Sequence, residues 1–407
     1  MTIERTLKAA GEGPIILALS GGGDSVALLH IMIERVGGAR LRAIIVDHVL
    51  REGSAADAGR AAGFARALGV RAEVKRLDWA GAPKRSQQAA RRARYIALAQ
   101  AAREHGARTV AVAHTADDQA ETVFMRAAKG SGWRGLAGMA EIAPAPIWPE
   151  GRGVLLARPL LGQRRAELRD FLSTRGAEWI EDPANTNPTF ERVRVRARLA
   201  ALEGAGFDPM RLVRFAAELR ALADQVDAEA AALISRAVRF EGPDILVDLT
   251  SWAAPLETRR RALSALIAAA AGAEREPAPA ALARLDARLA EPSFRGAALG
   301  GARLARRGDT LRLSRDPGAI EGRAGLAPLA AMKLTAGQEA VWDGRLELRA
   351  RQPVSVLPGA GAPLIALEER HVQLEAAVAL GAVSARWLTE LQLNRQLGPH
   401  STTKSGL

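Results

Sequence analysis

Six residues, Ser20-Gly21-Gly22-Gly23-Asp24-Ser25, stand between an apolar run, Ile15 to Leu19, and a segment of helical spacing, Ser25 to Arg35, in which Val26, Leu29 and Ile33 share a face. Glycines let a backbone turn tightly and come close to an anion. Unpaired N–H groups at the start of a helix, together with the Ser20 and Ser25 hydroxyls, offer donors to phosphate oxygens. The segment lacks the lysine of the pattern GxxxxGK[ST], which excludes a kinase-type phosphate loop.

A second constellation is His114-Thr115-Ala116-Asp117-Asp118-Gln119-Ala120-Glu121-Thr122. His114 ends the strand-like run Thr109 to Ala113, and Asp117 is read as the cap of the helix that follows. Asp117 and Glu121 are four apart and Asp118 and Glu121 three apart, so they share a helix face. Crowded carboxylates repel unless a cation sits among them, and Mg²⁺ or a lysine ammonium would serve. Alone, such a stretch reads as a solvated acidic helix start favoured by the dipole. Beside the glycine turn it reads as part of a site.

Strands and helices must hold these groups. Runs Leu41 to Val46, Val70 to Leu77, Thr109 to Ala113 and Val154 to Ala157 read as further strands. Ser54 to Leu68, Ser86 to His105, Asp117 to Ala128 and Gln163 to Arg175 read as helices. The alternation implies an α/β fold, a parallel twisted sheet with helices on both faces, with ligands bound beyond the carboxyl ends of the strands. Asp182 to Pro188 is a turn-rich break. Pro209 to Phe240 is strongly helical, and strand-like pieces follow at Asp244 to Leu249 and Thr310 to Leu313. The Ala-rich stretch from Leu263 to Ala273 reads as a buried helix. The expected division is a catalytic domain over 1–205, a mostly helical or mixed domain over 206–320, and a mixed C-terminal region over 321–407 whose fold is not read. Leu393 to Leu407 is polar and aperiodic and is expected to fray.

Composition narrows the chemistry. The 407 residues include no cysteine, which removes disulfides, zinc-thiolate sites, iron–sulfur clusters and cysteine nucleophiles from this chain. Lys and Arg total 57 against 45 Asp and Glu, a net charge of +12. Such a field attracts polyanions, with nucleic acid the natural partner. The helix from Ser86 and its lead-in carry Lys84, Arg85, Arg91, Arg92, Arg94 and Arg103, a candidate face for nucleic acid. No run of about twenty apolar residues and no signal-peptide pattern is present, so a cytoplasmic protein without a membrane span is expected.

Ser20 to Ser25 is similar to SGGxDS, the signature of the PP-loop ATP pyrophosphatases, which split ATP between the α and β phosphates and leave AMP on an acceptor. From there to Arg196 the chain resembles the tRNA(Ile)-lysidine synthases, motif after motif. Asp47 to Arg51 with Ser54 is similar to that family's DHGLR…S, Ala90 to Tyr95 to its basic helix, and His114 to Thr122 to its HHxDDQxET. Gly130 to Met139 is similar to GxGxxGLxGM, Arg158 to Leu161 to RPLL, and Asp182 to Arg196 to DPSN…RNxIR. Thr115 stands where the family has a second His, and Val193 where it has Asn.

The resemblance implies a ligase that forms a carbon–nitrogen bond. It would attach free L-lysine to the 2-carbon of the wobble cytidine of an isoleucine tRNA with a CAU anticodon, changing its reading from AUG to AUA. ATP would adenylate the cytidine, releasing diphosphate, and the lysine ε-amine would then displace AMP. It further implies that Ser20, Gly21, Gly22, Gly23, Asp24 and Ser25 bind ATP, with Asp24 at a Mg²⁺ ion. Asp118 and Glu121 would bind the lysine ammonium or metal, and His114 the nucleotide or the adenylated base. Arg192, Arg194 and Arg196 would neutralise phosphate or adenylate; a face for RNA backbone is an equal reading of these arginines. A homodimer is left open.

Three alternatives differ in chemistry. The tRNA 2-thiolation enzymes share the glycine motif but work through cysteines. PP-loop amidotransferases and NAD- or GMP-type synthetases leave the DDQAET and RVRVR segments unexplained. A non-catalytic RNA-binding protein that kept an ATP fold would release no diphosphate.

Overall fold

Ile15 and Leu17 face one side of a sheet and Ile16 and Ala18 the other, and all four are buried. A strand covered on both faces reads as a continuous apolar run, which is why IILA stands out in the sequence. The computed structural model describes residues 2–49, 53–79, 86–181, 187–322, 327–359, 362–367 and 370–398. They fall into two units, Met1–Ala223 and Asp224–Leu407.

The first unit begins with α1 (Thr2–Ala10). It then alternates β1 (Ile15–Ala18), α2 (Gly23–Val36), β2 (Leu41–Asp47), α3 (Ser54–Ala67), β3 (Arg71–Arg76), α4 (Gln87–Glu104), β4 (Thr109–Ala111) and α5 (Ala116–Ala128). After α6 (Trp133–Leu136) come β5 (Ile142–Pro144), β6 (Leu155–Ala157), α7 (Arg165–Ser173) and α8 (Glu191–Gly204). The strand order is β3-β2-β1-β4-β6-β5. Five strands run parallel, and β5 pairs antiparallel with β6 at the edge. The expected parallel sheet is present; β5 was not foreseen, because a short run containing Pro144 suits only an edge.

One face of the sheet is covered by α2, α3 and α7, whose Leu28, Leu29, Ala61, Ala62 and Leu172 pack on Ile15, Leu17 and Leu41. On the other, α4 sets Tyr95, Leu98 and Ala102 against Ile16, Ile44 and Val110. The order of strands reverses between β1 and β4, and a crevice opens beyond their carboxyl ends at such a point. Both motifs of the sequence end up there.

α9 (Met210–Ala237) leads from the first unit into the second. In the second unit β7 (Val238–Glu241), β8 (Asp244–Asp248), α10 (Leu256–Ala271), α11 (Pro279–Leu289), β9 (Gly296–Leu299), β10 (Ala302–Arg307) and β11 (Thr310–Arg315) build an antiparallel sheet, β7-β8-β11-β10-β9, against two helices. As expected, Leu263 to Ala271 is buried, within α10. After α12 (Pro317–Glu321), the region left unread in the sequence is largely strand. It comprises β12 (Met332–Leu334), β13 (Glu339–Trp342), β14 (Leu346–Ala350), β15 (Val354–Leu357), β16 (Leu364–Leu367), β17 (Arg370–Gln373), α13 (Leu374–Ala379) and β18 (Val383–Trp387). Its sheets are β12-β15-β16-β17 and β13-β14-β18.

One expectation fails here. Leu393 to Leu397 does not fray but closes α14 (Thr389–Leu397), with Leu393 and Leu397 buried four apart in the core around α10. The buried Arg261 of α10 donates to the Gln396 carbonyl and pairs with Asp227 and Glu276, tying α14 down. Residues 399–407 lie outside the described residues.

Candidate active site

The glycine turn is assembled by its own side chains. Ser25 Oγ donates to the Gly22 carbonyl at 2.8 Å and accepts from the Ser20 N–H at 3.2 Å, with the Ser20 hydroxyl 3.1 Å away. Gly22 is the N-cap of α2 and makes no side-chain cap bond, so the first N–H groups of the helix stay available to an anion. Gly21 has φ +85°, and a Cβ there would lie 2.6 Å from Ile180 Cδ1 and 3.0 Å from Ala61 Cβ. Only glycine fits, because the segment bearing Ile180 covers the back of the turn and donates its N–H to the Gly21 carbonyl at 2.8 Å.

Across the crevice, the start of α5 is capped by Thr115 and not, as expected, by Asp117. Thr115 Oγ1 accepts from the Asp118 N–H, and Asp118 Oδ2 accepts from the Thr115 N–H (2.9 Å) and lies 3.0 Å from its hydroxyl. This reciprocal box explains the threonine at a family histidine position: it satisfies helix-start donors while fixing Asp118. Asp117 turns outward and accepts the backbone N–H of Arg165 at 2.7 Å, joining the starts of α5 and α7. Asp118 and Glu121 are both buried, and Asp24 of α2 faces them through Arg165.

Residues 1–203 match the PP-loop domain family. A tRNA(Ile)-lysidine synthase of Hyphomonas neptunium is 41% identical over 301 residues, covering 73% of this chain and 80% of that protein. Those of Ruegeria pomeroyi and Caulobacter vibrioides are 38% and 37% identical, covering 82% and 85% of this chain and 76% of each relative. The chain belongs to the tRNA(Ile)-lysidine synthase family.

In this member of the tRNA(Ile)-lysidine synthases, the cations among the carboxylates are guanidinium groups of the chain itself. Arg165 reaches Asp24 (3.3 Å), Asp118 (3.2 Å) and Glu121 (3.6 Å). Arg192 of α8 reaches Asp118 (3.0 Å) and Glu121 (2.7 Å), and Arg196 reaches Glu121 (2.9 Å). Arg194 points away and donates to the carbonyls of Pro188 and Thr189. The three arginines proposed together from the sequence therefore divide, because neighbours two apart on a helix face different ways. Arg165 was missed. It lies 141 positions from Asp24 and reads as an ordinary helix start; its one signal is its place just after the RPLL segment.

Burial pushes the Asp24 carboxyl above its ordinary pKa, with Arg165 pulling it down and Asp118 adding to the rise. Burial would also raise Asp118, but Arg192 and Arg165 outweigh it and hold that carboxyl below the usual range. His114, at the end of the fourth strand, is depressed to about 3 by burial and by Arg158, so it stands neutral at ordinary pH. Its Nδ1 is buried without a hydrogen-bond partner among the described residues.

No group of three or more His, Asp or Glu able to hold a metal ion occurs among the described residues. With Asp24, Asp118 and Glu121 all engaged by arginines, these residues do not fit a magnesium cage made by the protein alone.

A cleft of about 700 Å³ runs beside the turn, lined by Ser20, Val46, His48, Arg94, Phe190 and Arg192 among others. The loop from Gly130 to Met139 is held by α5: the Gln119 amide bonds both the N–H and the carbonyl of Met139, and Arg126 donates to the carbonyls of Gly135 and Gly138. Of the basic helix, Arg92 pairs with Glu150 and Arg103 donates to its carbonyl. Arg91 stands exposed over the Tyr95 ring. Leu50, Arg51, Lys84, Arg85 and residues 182–186 lie outside the described residues. No described helix is long and apolar enough to cross a membrane.

Proposed function

We propose that this chain attaches free lysine to the wobble cytidine of an isoleucine tRNA with a CAU anticodon, through an adenylated cytidine. The observation that carries the reading is the buried pair Asp118 and Glu121, joined to the glycine turn by one guanidinium. In the first step the cytosine 2-oxygen attacks the α-phosphorus, and diphosphate leaves. N–H groups of residues 22–24 and the Ser20 and Ser25 hydroxyls bind the phosphates, as fixed donors at a site of developing charge. In the second step the lysine ε-amine attacks carbon 2 and AMP leaves. Asp118 and Glu121 hold the lysine ammonium, and Arg192 and Arg196 move from these carboxylates toward the phosphate or adenylate. His114, uncharged, hydrogen-bonds the nucleotide or base and is no proton donor at neutral pH. Magnesium would enter with the triphosphate, an ion that in such sites is held by substrate phosphates, waters and one or two carboxylates, with Asp24 the nearby carboxylate. Holding three substrates in one crevice supplies much of the rate.

The test is incubation with total tRNA, ATP and labelled lysine. Label in one isoleucine isoacceptor, with one diphosphate released per lysine, is the expected result; no label would end the proposal. Asp118→Asn should lower lysine transfer at least about a hundredfold, the scale of a lost charged contact or two. It should leave tRNA-dependent ATP–diphosphate exchange measurable. An unchanged single-turnover transfer rate would remove Asp118 from its role.

A further inference from the structure

The loop from Gly130 to Met139 takes no part in gripping ATP or lysine, yet α5 clamps it along its length. Gln119 fastens Met139, and Arg126 fastens the carbonyls of Gly135 and Gly138. At Gly138, with φ +64°, an added Cβ would come 2.7 Å from the Gln119 amide oxygen. The Ser131 N–H donates to the Arg126 carbonyl at 3.0 Å and closes the other end. What this clamped loop presents is Trp133, the first residue of α6.

The chain has seven tryptophans, and the other six are accounted for by packing or hydrogen bonding. Trp148, Trp252 and Trp342 are buried, and Trp179 and Trp387 pack against buried clusters. Trp79 donates its indole N–H to the His48 carbonyl at 2.8 Å. Trp133 does none of these. It is half-buried, it joins no buried cluster among the described residues, and its ring contact is the Arg134 guanidinium, 5.3 Å from the ring centroid. Holding a large aromatic ring where water still reaches it forgoes the stabilisation that full burial would give. A fixed ring with a cation over it and no core against it is suited to receive a planar group.

We infer that the Trp133 indole is a stacking surface for one base of the RNA that flanks the target cytosine. The helix that clamps the loop is the one that bears Asp118 and Glu121 at its start. Arg126 follows Asp118 by eight positions on α5, ~12 Å along the axis, so the loop stands within reach of nucleotides near the one that reacts. Bases in single-stranded RNA loops are recognised by splaying them onto aromatic rings. Such stacking accepts any base, because every base has a π face, so Trp133 supplies placement and affinity and leaves the choice of sequence to other contacts. The adjoining Arg134 and the net charge of +12 favour a polyanion over an uncharged partner. The inference rests on reading the substrate as tRNA.

The test uses the full chain with Trp133→Phe, which keeps an aromatic ring, and Trp133→Leu, which keeps only apolar bulk. Lysine transfer is measured against tRNA concentration. The leucine variant should raise KM for tRNA about tenfold, the scale of one lost base–aromatic stack, and leave kcat within about twofold. The phenylalanine variant should recover most of the loss. A tRNA carrying 2-aminopurine at one anticodon-loop position at a time gives the direct readout, since stacking quenches this base. With protein in excess, one position should be brighter in the leucine complex than in the parent and phenylalanine complexes. Three results overturn the site: a leucine variant with the parental KM, a phenylalanine variant no better than leucine, or no position whose brightness depends on residue 133. So does a leucine variant that melts well below the parent and binds α,β-methylene-ATP more weakly, which would make the indole a packing element. A parent chain that transfers no lysine would instead bring down the functional reading, whereas one that transfers lysine regardless of residue 133 brings down this site alone.

Discussion

At the scale of single residues, the site is a problem of charge placed where water is scarce. His114 illustrates the consequence. Its folded pKa of about 3 lies below the ~6.5 of an unfolded histidine, so the unfolded chain takes up a proton that the folded chain refuses. The stability this contributes is fully present above pH 6.5 and is lost as the pH falls from there toward 3. It amounts to at most about 5 kcal/mol. Replacing His114 with Gln removes the titration. In urea unfolding, the parent should lose more stability than the variant between pH 7.5 and 5.0; equal losses would show that the imidazole is not held neutral. The carboxylates titrate below this window in the unfolded chain and do not mask the difference.

At the scale of elements, what could be read from the sequence was what is local. The turn at residues 20–25 announces itself because an apolar run, three glycines and a helical period adjoin. The box at Thr115 was misassigned to Asp117 because both are good caps and only the backbone decides between them. Arg165 was invisible because its partners lie on other helices, and α14 because two leucines four apart are too few to outweigh a polar surround. Gly21 gives the prediction at this scale. Its positive φ and the Ile180 side chain against it leave no room for a methyl group, so Gly21→Ala should cost on the order of 1–3 kcal/mol of stability. It should also weaken binding of an ATP analogue. Melting and titration measure the two effects, and a variant with parental values in both would mean the turn is not gripped from behind.

At the scale of the molecule, a net charge of +12 sets the approach of RNA before any contact forms. Affinity for tRNA should fall at least about tenfold between 50 and 200 mM salt, with a linear slope on logarithmic axes. A flat response would remove phosphate contacts from the account. The bond from Ile180 to Gly21 has a consequence for how the protein is made. The chain emerges from the ribosome N-terminus first, so the glycine turn is synthesised early and stays unbacked until the stretch through Ile180 has followed it out. A nascent chain cut short before that point would carry the whole signature and still be unable to hold it in shape.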